Sequence, residues 1–171
     1  MTKPAGKKAT MGARGLTLES IQNFSARLRP AARLIGIDAG TKTLGLALSD
    51  ETRVIASALT VLRRSKFTKD AARLLEIAAE HGIAGFVLGL PINLDGTAGP
   101  RVQATRAFAK NLNALTDLPI LLWDERLSTV AAERALLEAD TSRKRRAEVV
   151  DKVAATIILQ GALDRMRALE Q

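Results

Sequence analysis

Residues 33–49 read RLIGIDAGTKTLGLALS and hold the strongest structural signal in the chain. The first six residues predict a short, mostly apolar strand that ends in Asp38. Residues 39–43 are typical of a tight turn, and residues 44–49 predict a second strand. Because a third strand is predicted over 54–62, this part of the chain should form an antiparallel meander.

Beyond the meander the pattern alternates between helix and strand. Helical spacing is found over 67–81, 101–115, 129–139 and about 147–168, and apolar strand-like runs over 85–90 and 120–123. Apolar strands joined by helices indicate parallel pairing with helices on both faces of the sheet. We therefore predict an α/β fold built on a mixed five-stranded sheet with three antiparallel and two parallel strands.

The composition narrows the chemistry that the protein can perform. The 171 residues include no Cys and one His, which excludes thiolate and His-rich metal sites. Catalysis would therefore depend on carboxylates, hydroxyls, Lys and Arg. No run approaches the roughly 18–20 apolar residues of a membrane span, so no membrane partner is expected.

The charge is concentrated at the start of the chain. The whole sequence carries 26 Lys+Arg against 18 Asp+Glu, a net charge of +8, and residues 1–32 contain six basic residues and one acid. We interpret 1–32 as a basic extension, either flexible or forming a short appended helix, and 33–171 as the catalytic domain. The basic balance favours a nucleic-acid partner, although a tail that only aids solubility has the same composition. Residues 1–15 lack the features of a secretory signal, and a cytoplasmic protein is expected.

Acidic residues lie where predicted parallel strands end. Asp38 ends the first strand, Asp124 and Glu125 follow the fifth, and Asp151 lies in the last helix. If they converge at one end of the sheet, their mutual repulsion requires a compensating cation. Oxygen ligands suit Mg²⁺ or Mn²⁺, and such clusters are typical of two-metal phosphoryl-transfer sites. For Asp151 the alternative is an acid that is merely favoured near a helix N-terminus.

Basic residues lie near the same predicted site. We expect contacts with a nucleic-acid backbone from Lys42 in the first turn, from Arg126, and from the run before the last helix, which comprises Arg143, Lys144, Arg145 and Arg146. The alternative for this run is a solvated charged segment, and the alternative for Arg126 is a residue that orients an active-site acid. With aromatic residues at 3%, base stacking is not the main expected mode of recognition.

Four segments together resemble the YqgF (RuvX) family of small bacterial ribonuclease H-like proteins. In family order they are 36–45 (GIDAGTKTLG), 87–96 (VLGLPINLDG), 123–129 (WDERLST) and 150–155 (VDKVAA). The resemblance covers about 33–165, and four motifs in order are highly specific. The extension 1–32 lies outside it.

The resemblance implies a ribonuclease H-like fold with a divalent metal bound by acids at the sheet centre. Asp38 matches the first-strand acid of the family and Asp151 the acid of its last helix. The middle acid is Asp124 or Glu125, and analogy with RuvC-type nucleases favours Glu125. The implied activity is hydrolysis of phosphodiester bonds in maturation of the 5′ end of pre-16S ribosomal RNA. The alternative substrate is a four-way DNA junction, and the protein would be a monomer or a homodimer.

Two other classes of function fit part of the pattern. A non-catalytic RNA-binding factor in ribosome assembly would use the same basic residues. A sugar kinase or actin-like ATPase would share the Asp-x-Gly-Thr pattern of residues 38–41, but such proteins clamp nucleotide between two domains of this kind. About 140 core residues supply one domain, which disfavours the ATPase.

Overall fold

The computed structural model describes residues 16–127 and 143–170, and the side chains of 143–151 lie outside this description. The strands are β1 (Thr17–Leu18), β2 (Arg33–Ala39), β3 (Thr43–Ser49), β4 (Ala56–Arg63), β5 (Ile83–Leu90) and β6 (Ile120–Asp124). The helices are α1 (Ile21–Ala26), α2 (Phe67–His81), α3 (Pro100–Asn113) and α4 (Arg143–Leu169), with a 3-10 turn at Glu125–Leu127.

The strands form one mixed sheet in the order β1-β6-β5-β2-β3-β4. β2, β3 and β4 are antiparallel, whereas β5 is parallel to β2 and β6 is parallel to β5. The predicted α/β class and its meander are confirmed. The predicted strand number is wrong, because Thr17–Leu18 adds a sixth strand parallel to β6. Two residues are too few to show the alternation by which a strand is recognised in sequence.

Two predicted elements differ from the structure at a boundary or lie outside its description. The basic run was predicted as a connection before the last helix, but α4 already begins at Arg143. Arg and Lys are good helix formers, so the helix extends through them. The helix predicted over 129–139 lies outside the described residues. None of the helices in the described ranges is long and apolar enough to cross a membrane.

Alternating side chains of the sheet form two apolar clusters on its two faces. Ile35 and Ile37 of β2 belong to the cluster that α2 and α3 cover. Leu34 belongs to the opposite cluster, which α1 and α4 cover and which we call the α4 face. Gly36 permits close approach of α4, because a Cβ at this position would lie 2.7 Å from the Leu159 Cβ and 3.0 Å from the Ala155 carbonyl oxygen.

Helix α4 runs antiparallel to β2 across this face. The Gln160 side chain accepts a hydrogen bond from the Ala56 N–H (2.8 Å) and donates one to the Val54 carbonyl (2.9 Å). These contacts lie at the amino edge, where β2 begins, because the start of β4 pairs with the end of β3. The beginning of α4 is therefore directed towards the opposite, carboxyl edge, where β2, β5 and β6 end.

Candidate active site at the carboxyl edge of the sheet

Asp38 lies next to the end of β2 and is only 3% exposed. Strand alternation places it on the α4 face, two residues beyond Gly36. On its β3 side it is paired in register with Gly45, which has no side chain to cover the carboxylate. A buried carboxylate is costly in free energy unless polar groups or a cation interact with it. A buried Asp at the end of a strand is therefore a candidate functional residue.

Glu125 is brought towards Asp38 by the path of β6. The chain turns immediately after β6, and the Glu125 Oε2 lies 2.9 Å from the point that a Cβ on Gly89 would occupy. Gly89 follows Leu88, the in-register partner of Ile37, and thus lies beside Asp38 on a strand about 4.8 Å away. Asp38 and the Glu125 carboxylate therefore lie on the α4 face, over neighbouring strands of the carboxyl edge.

Gly89 lies in the motif 87–96, where the sequence indicates an architectural residue beside the site and not a member of it. A side chain here would collide with the Glu125 carboxylate and with Ile158 of α4, whose Cδ1 lies 2.4 Å from the Cβ position. The available signal was a glycine inside a fully buried strand, which often marks a close approach by another group. The missing side chain leaves the space in which the Glu125 carboxylate lies.

Asp124 has a different environment from its neighbour. It alternates with Leu122, which lies in the cluster on the opposite face of the sheet. The Arg126 Nη2 donates to Asp124 Oδ2 at 2.7 Å, the Arg126 Nε lies 3.1 Å from both carboxylate oxygens, and the Arg126 backbone N–H donates to Oδ1 at 2.9 Å. The Arg126 hydrogen bonds hold the pKa of Asp124 below its ordinary value despite partial burial. The same carboxylate raises the pKa of Arg126.

For Asp151, the third predicted acid, the structure describes only the backbone position in α4. Asp151 lies in α4 one turn before Ala155, which contacts Gly36, and thus towards the carboxyl edge. Its side chain lies outside the described residues, as do those of Arg143, Lys144, Arg145 and Arg146. Among the side chains that the structure describes, no three potential metal ligands form a cluster.

The turn after Asp38 is held by two arginines that sequence reasoning did not select. Arg64 Nη1 donates to the Gly40 carbonyl at 2.6 Å, and Arg101 Nη2 donates to the Ala39 carbonyl at 3.1 Å. The Arg64 guanidinium also lies 5.5 Å from the ring centre of Phe108. Lys42 projects from this turn and is exposed. Because neither arginine lies in a motif, only the folded chain reveals these contacts.

The arrangement is compatible with a divalent metal ion. Asp38 and Glu125 offer carboxylate oxygens, which are the ligands that Mg²⁺ and Mn²⁺ prefer. Neither Gly45, the partner of Asp38 in β3, nor Gly89 beneath the Glu125 carboxylate adds a side chain at this position. The donor chemistry therefore fits the predicted metal.

Comparison with known proteins identifies close relatives. The family model of RuvX, described as Holliday junction resolvase, matches residues 32–165. A protein of Paracoccus denitrificans is 62% identical over 151 residues, which cover 88% of this chain and 96% of the relative. A protein of Cereibacter sphaeroides is 64% identical over 148 residues, which cover 86% of this chain and 92% of the relative. Both are named "Putative pre-16S rRNA nuclease".

A solved structure is similar in fold but distant in sequence. The structure titled "T. thermophilus RuvC in complex with Holliday junction substrate" superimposes with a TM-score of 0.50 at 16% identity, covering 79% of this chain and 96% of RuvC. At this identity the likeness concerns the fold alone. The predicted ribonuclease H-like architecture is confirmed, with the sixth strand as an addition to the expected sheet.

Proposed function

The chain belongs to the RuvX family, and on this premise we propose that it is a divalent-metal-dependent nuclease that processes the 5′ end of pre-16S ribosomal RNA. The names of relatives that are more than 60% identical along nearly their whole length support this substrate. The observation that carries the proposal is that Asp38 and the Glu125 carboxylate lie on one face, over neighbouring strands of the carboxyl edge. A role in ribosomal-RNA processing would be exercised in the cytoplasm.

The metal ligands in this proposal are Asp38, Glu125 and Asp151. When bound, Mg²⁺ or Mn²⁺ supplies activation of water and stabilisation of the leaving oxygen in phosphodiester hydrolysis. The protein itself positions Asp38 before a metal binds. Burial at the end of β2 keeps Asp38 in one position, and the contacts of Arg64 and Arg101 hold the turn that follows it.

Basic residues would hold the substrate beside these acids. Lys42 projects from the β2–β3 turn, and Arg126 lies at the other side of the carboxyl edge, where it is already anchored on Asp124. Helix α4 begins with Arg143, Lys144, Arg145 and Arg146, which we propose as contacts with the phosphate backbone. Arg126 would thus combine backbone binding with holding Asp124 away from Glu125.

The decisive experiment compares the wild-type protein with Asp38→Asn on a pre-16S 5′ leader RNA, with Mg²⁺ or Mn²⁺. The substitution keeps size and removes charge, so we expect cleavage to fall by more than about 100-fold, beyond the 10–100-fold typical of an outer-shell partner of a metal. Asp164→Asn, at an exposed position near the end of α4, is the matched control and should retain activity. Full activity of Asp38→Asn would refute the carboxylate site.

A four-way DNA junction is the second candidate substrate. It is favoured by the description of the family model that matches this chain, while the fold is compatible with either polymer. The same assay includes this substrate. Cleavage of the junction alone would make the junction the favoured substrate and the RNA the alternative. Binding of the RNA without cleavage of either polymer would favour the non-catalytic ribosome-assembly factor.

A further inference from the structure

Helix α2 has two exposed cations at its N-terminal end, Lys66 at the N-cap and Lys69 in the first turn. The helix dipole favours an acid at this end, as Asp70 provides in the first turn, and disfavours cations. A locally unfavourable charge of this kind is expected where it contributes to a function.

The basic end of α2 lies at the carboxyl edge of the sheet, near the candidate active site. The preceding strand β4 ends there with Arg63, which is paired in register with Thr43 beyond the β2–β3 turn. The next residue, Arg64, donates its backbone N–H to the Lys42 carbonyl at 2.8 Å. Four exposed cations therefore follow one another along this edge, and we call them the basic track: Lys42, Arg63, Lys66 and Lys69.

The basic track begins on the face that carries Asp38. Strand alternation places Arg63 opposite to Leu62, which packs in the α2 and α3 cluster, and thus on the α4 face. Two strand spacings and two residues separate Arg63 from Asp38, which corresponds to about 12 Å between Cα atoms. A nucleic acid bound at the acids would therefore reach the basic track within a few nucleotides.

No acid whose side chain the structure describes neutralises the track. Within the described part of the chain none of its four side chains is in an ion pair. Asp70 is the one acid between Thr52 and Leu75, and it is buried. Its carboxylate accepts hydrogen bonds from the backbone N–H and the hydroxyl of Ser65 (3.0–3.1 Å). It therefore stabilises the start of α2 and does not pair with the basic track.

We propose that the basic track binds the sugar–phosphate backbone of the nucleic-acid substrate on the β4–α2 side of the active site. This inference rests on the proposed function and adds a binding surface to it. Exposed Lys and Arg without partner acids gain most by contact with a polyanion, and they bind it through charge rather than base identity. The track thus faces Arg126 across the carboxyl edge, and the substrate strand would pass between them over the acids.

The test replaces Lys42, Arg63, Lys66 and Lys69 together by Gln in the Asp38→Asn protein, which keeps the substrate intact. Binding of the pre-16S leader RNA and of a four-way DNA junction is measured at several salt concentrations. We expect a ten- to hundredfold loss of affinity near 100 mM salt, and a salt slope that is smaller by about 3, since each of the four lost phosphate contacts contributes about 0.7–0.9.

The matched control replaces four exposed basic residues towards the amino edge by Gln: Arg27, Arg29, Lys110 and Arg167. It removes the same charge, and its affinity and salt slope should stay close to those of the parent. An equal loss in the control would attribute the effect to net charge and overturn the proposal. Melting temperatures of both variants check that they are folded.

The outcomes separate this proposal from the proposed function. Unchanged binding by the track variant, while the wild-type protein cuts its substrate, would refute the track and leave the nuclease intact. Weakened binding by the track variant, while the wild-type protein cuts neither polymer, would support the track and refute the nuclease. A parent protein that binds neither polymer would overturn both.

Discussion

Asp124 and Glu125 are adjacent in the chain but lie in different surroundings. Arg126 forms several hydrogen bonds to the Asp124 carboxylate, whereas the Glu125 carboxylate lies over Gly89 beside the strand of Asp38. The depressed pKa of Asp124 follows from its bonds to Arg126, so this acid stays ionised below the pH at which an ordinary Asp is protonated. One residue thus fits an anchor for Arg126, and the other fits a metal ligand.

We predict that Glu125→Gln and Asp124→Asn have unequal effects on cleavage. Glu125→Gln should reduce activity by more than about 100-fold, as for a direct metal ligand. Asp124→Asn should cost less than about tenfold, because the amide oxygen still accepts a hydrogen bond from Arg126. Rates on the same substrate, measured with saturating Mg²⁺ or Mn²⁺, check the order. The reverse order would assign the metal to Asp124.

Helix α2 illustrates at the level of an element how stability and binding compete. Its N-cap, Lys66, has extended backbone dihedral angles (φ −85°, ψ 143°) suited to a capping residue, but its side chain accepts no cap hydrogen bond. The Asp70 carboxylate instead accepts a hydrogen bond from the backbone N–H of Ser65, the residue before the N-cap. A cation at the N-cap opposes the helix dipole, and the basic track accounts for its presence.

Lys66→Ser should therefore stabilise the protein and weaken its binding of nucleic acid. A serine at the N-cap accepts a hydrogen bond from a free N–H of the first turn, and we expect the free energy of unfolding to rise by about 0.5–1 kcal/mol. Urea denaturation measures this change. Lys66→Ala is the matched control, because it removes the charge but cannot cap. A serine variant no more stable than the alanine variant would contradict the capping argument.

The chain segment before β2 contributes to the hydrophobic core of the whole molecule. Phe24 of α1 is fully buried, and its ring lies 3.1 Å from the point that a Cβ on Gly85 would occupy. Arg29 donates to the Gly82 carbonyl at 2.7 Å, and the Ile120 N–H donates to the Leu16 carbonyl. These contacts join residues 16–32 to the beginnings of β5 and β6.

On this basis Phe24→Ala should destabilise the entire domain. Loss of a fully buried Phe costs about 3–5 kcal/mol, which is a large part of the stability of a domain of this size. Leu115→Ala is the control, since Leu115 is 53% exposed and its loss should have little effect. Chemical denaturation followed by Trp123 fluorescence measures both. A loss below about 1 kcal/mol for Phe24→Ala would show that α1 folds separately.

Much of the architecture was predictable from local patterns. Alternating and continuous apolar runs predicted five of the six strands, and 3.6-residue spacing predicted α2 and α3 to within two residues of their ends. The four motifs predicted the family, and strand ends predicted which acids to consider. Such patterns are predictable because side-chain periodicity depends on which side of an element is buried, and not on which other element covers it.

Tertiary structure alone separated Glu125 from Asp124 and placed Gly89 beneath the Glu125 carboxylate. It also brought Arg64 and Arg101 to the turn after Asp38 and added β1 to the sheet. Each of these facts depends on the register between strands or on the approach of residues more than 20 positions apart. Periodicity within one element carries no information about such distances, which packing and strand pairing determine.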